Sequence, residues 1–226
     1  MNVPVITVDG PGGAGKGTLA FSLARHLGWR MLDSGALYRV TAYAADAAGT
    51  DLDDEAALAA IARDLDLEFR PAAEGLTQVL LRGVDISEAI RTESCGALAS
   101  KVAAMKPVRA ALLDRQRQMA KPPGLVADGR DMGTVVFPGA PLKIFLTASA
   151  VARAQRRQQQ LLAKGESVNL ARLLGTIEER DARDRNRAEA PLVPADDAVV
   201  IDSTAISADE VLARALAAAR ERRLVA

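Results

Sequence analysis

Residues 10–18 read GPGGAGKGT, five glycines and one lysine between a β-branched run, Val3–Val8, and a stretch of helical periodicity closing at Gly28. Gly10, Gly15 and Lys16 satisfy the spacing G-x-x-x-x-G-K. Glycine lets the backbone of Gly10, Pro11, Gly12, Gly13, Ala14 and Gly15 turn its N–H groups inward around a phosphate chain. The helix behind the loop adds its positive end, and Lys16 supplies a mobile point charge. Gly17 follows the lysine and Thr18 comes next, so the hydroxyl that commonly meets the metal is displaced by one position. The strand before and the helix after are the context in which such a loop binds phosphate.

A second stretch has the types for anion chemistry. ERDARDRNR, residues 179–187, places four arginines in nine positions. Read as a helix, it brings Arg180, Asp184 and Arg187 to one face, with Arg183 close by. Like charges at that spacing repel by a few tenths of a kcal/mol, on the order of 0.3 per pair. An anion between them removes the conflict, and the planar guanidinium suits two-point contact with phosphate oxygens. Taken alone, a salt-bridged exposed helix explains the pattern better; beside a phosphate loop the functional reading gains.

The elements that must position these residues alternate. A strand and helix flank the loop; WRMLD reads as a second strand and SGALYRVTAYAADAAG as a second helix. Asp53 reads as the N-cap of DEAALAAIARDL. The texture then changes to two β-like runs joined by a Pro/Gly turn and a further short run, an insertion over about 62–100 that returns through ESCGALASKVAAM. Pro107 to about Ala120 reads as helix, stopped by KPPG. LVADGRD is a buried strand ending in acid and glycine, and LKIFLTA is another. An arginine-rich helix follows to Lys164–Gly165, and Ser167 reads as the cap of the helix carrying 179–187. AVVIDST is the last strand, and Ser207 with Glu210 forms a capping box for the terminal helix. Strands alternating with helices predict an α/β fold, a three-layer arrangement on a parallel central sheet.

Composition narrows the functions. The chain has 226 residues, 49% of them apolar, enough for an ordinary globular core and for one domain with an insertion. Aromatics at 3% argue against a stacking platform for single-stranded nucleic acid. One cysteine, Cys95, and one histidine, His26, exclude a disulfide framework and a His/Cys zinc centre. The formal net charge is zero, yet charge is sorted: 51–75 holds eight acids and two bases, and 151–187 nine bases and five acids. A basic region on a neutral chain suits a compact polyanion better than duplex DNA. No apolar run approaches the ~20 residues of a membrane span, and the N-terminus lacks a basic leader, so a soluble cytoplasmic protein is expected. Trp29, Met31 and Leu32 read as packing, Cys95 as a small apolar filler, His26 as a surface residue and the terminal RERR as an exposed helix end.

The motifs converge on one family. GKGT is the form of the loop in nucleoside monophosphate kinases, and LDSGALYR (32–39), DGRDMGTVVFP (128–138) and ERDARDRNR, in this order and spacing with the 62–100 insertion, closely resemble the signature segments of bacterial-type cytidylate kinases. The resemblance runs from residue 3 to residue 224. It implies a P-loop fold with core about 1–61 and 101–226, a monophosphate-binding insertion about 62–100 and an arginine-rich lid about 153–168. It implies transfer of the γ-phosphate of ATP to CMP or dCMP. Lys16, Arg130, Arg180 and Arg187 would serve the transfer. Ser34, Tyr38 and Arg39 with Arg130 and Arg187 would face the acceptor phosphate; Ser100, Arg109 and Asp131 would read the cytosine edge; Arg180 and Asp184 would meet ribose and phosphate. Arg153, Arg156 and Arg157 would belong to the lid. Mg²⁺ would be held by phosphates and water, with Asp128 nearby through water. The partners implied are small nucleotides, with no nucleic acid or membrane and a monomeric state.

Cytosine carries an amine where uracil has an oxygen, so a carboxylate such as Asp131 accepts from the first and repels the second. Two rivals stay open. One is a P-loop kinase for UMP, AMP or a sugar acid. The other is a hydrolytic switch, disfavoured by the absence of an N-K-x-D stretch for guanine.

Overall fold

The computed structural model describes residues 3–71, 77–163 and 165–225. The turn between the two β-like runs, 72–76, and Lys164 of the expected lid lie outside the described residues. Contacts divide the chain into two compact units, one built from residues 1–32 and 119–226, the other from 33–118. The second is wider than the 62–100 piece marked by the change in sequence texture, because helices that the sequence assigns to the core pack within it.

In the first unit a five-stranded sheet runs in the order β2-β6-β1-β7-β8: β1 (Val5–Asp9), β2 (Arg30–Asp33), β6 (Leu125–Gly129), β7 (Leu142–Thr147) and β8 (Val199–Asp202). β1 pairs in parallel with β6 and β7, and β7 with β8. Every residue of β1 and β6 is buried, as strands covered on both faces require. Val8 lies level with Asp128 and Asp9 with Gly129, so the loops after β1 and β6 leave the same sheet edge side by side. That C-terminal edge is where doubly wound sheets bind ligands.

α1 (Lys16–Leu27) and α8 (Ala208–Glu221) cover the sheet through Leu19, Leu23, Val211 and Ala215, which join Ile6, Val8, Ile144 and Leu146 in one core. Gly28 ends α1 in the left-handed conformation, φ 64°. The Ser207–Glu210 capping box at α8 is formed by both bonds. α6 (Ala150–Ala163) and α7 (Leu170–Asn186) pack against each other. Asn169, not Ser167, caps α7: its side chain accepts from Arg172 N at 3.1 Å. Trp29 packs on the core and lies so close to Gly124 that a Cβ there would sit 2.3 Å from the ring.

In the second unit α2 (Ser34–Ala47) packs on α4 (Glu93–Val102), and α3 (Glu55–Arg63) on α5 (Lys106–Gln118). β3 (Leu67–Pro71), β4 (Thr77–Leu81) and β5 (Val84–Asp85) make an antiparallel sheet. Asp54 rather than Asp53 caps α3, accepting from Ala57 N at 2.9 Å, while the Asp53 backbone N donates to Asp51 in a local turn. No helix among the described residues is long and apolar enough to cross a membrane.

Candidate functional site

The chain leaves β1 at Asp9 and turns at Gly10, whose φ of 148° and approach to β7 both demand glycine. Gly13 and Gly15 are also left-handed, φ 78° and 96°. The N-cap of α1 is Gly15, which brings no side-chain acceptor to the helix's first N–H groups, where an anion can bind. The loop's carbonyls are held by side chains behind it. Lys16 Nζ donates to Pro11 O at 3.0 Å, and Ser203 Oγ lies 3.0 Å from Ala14 O while accepting from Arg156 Nη1 at 3.1 Å. A cavity of about 810 Å³ opens beside the loop, bounded by Gly13–Leu19, Arg156 and Gln159 of α6, and Ser203 and Ile206 beyond β8. Its size suits a nucleotide, and Ser203, Ile206 and Gln159 had no signal in the sequence that set them apart.

Lys16 is buried, with Nζ 3.9 Å from Asp128 Oδ1. A Cβ on Gly17 would stand 3.5 Å from Asp128 Oδ2, so the acid at the end of β6 faces the start of α1. Among the described residues no three or more His, Cys, Asp or Glu side chains group as a metal site. This donor set fits a cation held by phosphate oxygens and water with one acid nearby, and does not fit a carboxylate-built centre.

Two arginines converge on Gly12. A Cβ there would lie 3.4 Å from Arg130 Nη2 and 3.6 Å from Arg180 Nη1. Asp184 stands beneath them, its Oδ2 accepting from Arg130 Nε at 2.9 Å. Burial opposes the Asp184 charge, but Arg130, Arg180 and Arg187 together outweigh it and hold the carboxyl below the ordinary carboxylate range. Arg187 departs from the helical reading. α7 ends at Asn186, and Arg187 is the extended C-cap, its Nε donating to Ala190 O. Its Nη2 is 3.9 Å from Asp131 Oδ1, both side chains buried. Arg183 and Arg185 point to solvent.

Asp131 opens a π-helical turn, Met132–Val136, that the sequence does not announce. The turn hangs on Asp9, whose two carboxylate oxygens accept from Met132 N and Gly133 N at 2.8 Å each. Asp9 thereby sets the segment carrying Arg130 and Asp131. Burial pushes its carboxyl up to about 6, against the lowering by the two backbone bonds. A pKa raised on folding means that the native state binds the proton more tightly. The stability tied to this group is full below the unfolded value near 3.8 and falls as pH rises through 6. Relative to Asp9→Asn, the parent should therefore gain roughly 2 kcal/mol of stability between pH 7 and pH 4. Urea unfolding of both proteins across that range checks it; parallel curves would refute the assignment.

Arg153, expected in the lid with Arg156 and Arg157, is instead 2% exposed and bonded within the core of the first unit. Arg156 donates to Ser203, and Arg157 Nη1 to Gln160 Oε1 at 3.3 Å.

The second unit gathers the rest of the expected acceptor residues by itself. Ser34 Oγ donates to Gln116 Oε1 at 2.7 Å, and the Arg109 guanidinium lies 5.9 Å from the centroid of the Tyr38 ring. Arg39 Nη1 donates to Ile90 O at 2.7 Å, which fixes it against the turn before α4. Ser100 Oγ is buried and makes no hydrogen bond among the described residues. Cys95 is buried with Sγ 3.5 Å from Arg39 O, a packing role.

A glycine-rich loop between a parallel strand and a helix, faced by converging arginines, defines a phosphate-handling protein of the P-loop class. The same α/β fold is found in the solved structure of TT1252 from Thermus thermophilus, 18% identical, with a TM-score of 0.51 over the full length of both chains. The family model for cytidylate kinase matches residues 6–221, and the chain belongs to that family. It is 59% identical over 98% of its length to a cytidylate kinase of Stutzerimonas stutzeri, covering 97% of that protein. To a cytidylate kinase of Serratia proteamaculans it is 60% identical over 96% of its length, covering 95% of that protein.

Proposed function

We propose that the protein transfers the γ-phosphoryl group of ATP to CMP or dCMP, giving ADP and CDP or dCDP. The observation that carries this reading is the approach of Arg130 and Arg180 to Gly12 at the tip of the phosphate loop. Cationic groups meet there where the γ-phosphate of a loop-bound nucleotide would end.

The nucleophile is a phosphate oxygen of the acceptor, ionised at neutral pH, so no strong general base is needed. The task is to align two polyanions, offset their repulsion and exclude water. Loop N–H groups and Lys16 take the donor phosphates, and the cavity beside them takes the rest of ATP. Arg130, Arg180 and Arg187 neutralise charge on the transferred group and the acceptor, while Asp184 keeps the arginines in register and accepts from a sugar hydroxyl. Ser34, Tyr38, Arg39, Ser100 and Arg109 of the second unit are assigned to the acceptor nucleotide, with Ser100, Arg109 and Asp131 reading its base. Arg156 and Arg157 are assigned to the lid. Bound Mg²⁺ would be held by phosphate oxygens and water with Asp128 nearby through water, and would supply charge neutralisation on the phosphate chain. Both substrates are small and soluble, which agrees with a monomeric cytoplasmic enzyme.

A panel of nucleoside monophosphates with ATP and Mg²⁺ tests the substrate. CMP and dCMP should give the highest kcat/KM, and Asp131→Ala should shrink the preference for CMP over UMP by roughly tenfold to a hundredfold, the scale of one lost polar discrimination. An unchanged ratio would remove Asp131 from base reading; activity favouring AMP or a sugar acid would remove the CMP assignment.

A further inference from the structure

Arg153 uses four of its five N–H donors on acceptors of the protein itself. Nε donates to Ala148 O at 3.0 Å, Nη1 to Gly12 O at 2.9 Å and to Asp181 Oδ1 at 3.1 Å, and Nη2 to Asp181 Oδ2. Asp181 is 5% exposed. Its two oxygens accept as a fork from one guanidinium, the geometry that makes Arg–carboxylate pairs specific. A side chain so engaged has almost no donor left to offer a phosphate.

We propose that Arg153 and Asp181 are a positioning pair that fixes the orientation of the Gly12–Gly13 peptide in the phosphate loop. A trans peptide is planar, with its C=O and N–H pointing in opposite directions. Holding Gly12 O toward Arg153 therefore turns Gly13 N–H the other way. Gly13 leans on the same side chain, since a Cβ there would meet Arg153 Cβ at 3.3 Å, and it lines the nucleotide-sized cavity. Asp181 is also the neighbour of Arg180 on α7, whose guanidinium reaches Gly12. One pair thus sets the loop's donor direction and the register of the helix carrying Arg180.

The inference rests on the phosphate-transfer reading, so its test uses ATP binding without acceptor, which is independent of which monophosphate is phosphorylated. Two variants are needed. Arg153→Met/Asp181→Leu replaces the buried pair with apolar volume, a change that often leaves stability intact. Its Tm should stay near the parent's, while MgATP binding by calorimetry weakens roughly tenfold and kcat falls by as much as about a hundredfold. Arg153→Lys keeps a charge beside Asp181 but cannot reach Gly12 O and both carboxylate oxygens together; ATP affinity should weaken in it as well. Parent ATP affinity in either variant would overturn the proposal and leave the pair a plain staple between helices. If the double variant does not fold, Arg153→Lys decides alone. Should the parent bind MgATP yet phosphorylate no monophosphate, the reaction assignment fails while the pair is still tested.

Discussion

Lys16→Met should lower kcat by about a thousandfold, the scale of removing one preorganised charge from a transfer site. Lys16 is buried, and its ammonium sits between Pro11 O and the Asp128 carboxylate at the start of α1. Methionine matches the length of the stem and leaves the glycine turns untouched, so the loop keeps its path. What disappears is the only lysine charge at the loop. The substitution also leaves Asp128 without that neighbour, which costs stability, so kcat must be read at a temperature well below the variant's Tm. A kcat within threefold of the parent, with the variant folded, would show that Lys16 merely ties the loop to Pro11 O.

Gly10→Ala should be the most destructive substitution in the loop, and for a different reason. A Cβ at this position would lie 1.9 Å from Leu146 O, a backbone atom of β7. β7 is held on one side by β1 and on the other by β8, so it cannot retreat without breaking two ladders. The φ of 148° adds strain for any residue with a side chain. A loss of more than about 4 kcal/mol is expected, enough to unfold much of the population at 37 °C. Chemical unfolding and the soluble yield measure it. A Cβ on Gly12, two residues on, would meet first the movable ends of Arg130 and Arg180, so the constraint on a side chain there belongs to ligand space rather than to packing. A Gly10→Ala protein as stable as the parent would mean that the loop and β7 are not locked as described.

Much of this was legible in the residues because the relevant signals are local. The phosphate loop is a run of glycines with a lysine between a β-branched strand and a helix, and both its position and its consequence for α1 follow from short-range geometry. The alternation of strands and helices that gives the parallel sheet is periodic and therefore readable, as is the Ser207–Glu210 capping box. The errors at helix starts have a common cause. Asp51, Asp53 and Asp54 offer competing acceptors within four residues, as do Ser167 and Asn169, and only the fold decides which one meets the N–H groups.

The site features that sequence reasoning missed depend on partners far along the chain. Asp9 looks like a strand end, yet its oxygens meet N–H groups more than 120 residues away. Asp181 and Asp184 stand three apart on α7 among arginines, and the family resemblance assigns a role only to Asp184. The burial of Asp181 on Arg153, 28 positions earlier, comes from the packing of α6 on α7. Arg153 itself sits in an arginine-rich helix whose pattern does not separate the fully buried side chain from the half-buried Arg156 and Arg157. In each case charge alone suggested solvent or ligand, and tertiary contact supplied a protein partner instead.

The convergence at Gly12 makes a specific electrostatic demand. Arg130 and Arg180 approach one loop tip with Asp184 moderating their repulsion, an arrangement that gains most when phosphates of two nucleotides meet there. A protein built only to hydrolyse ATP has no need of the second anion. Incubation of the purified protein with γ-labelled ATP, Mg²⁺ and CMP decides the matter. The label should pass to CDP mole for mole with ATP consumed, with little turnover when CMP is omitted. Label released as inorganic phosphate at the same rate with and without CMP would contradict the account.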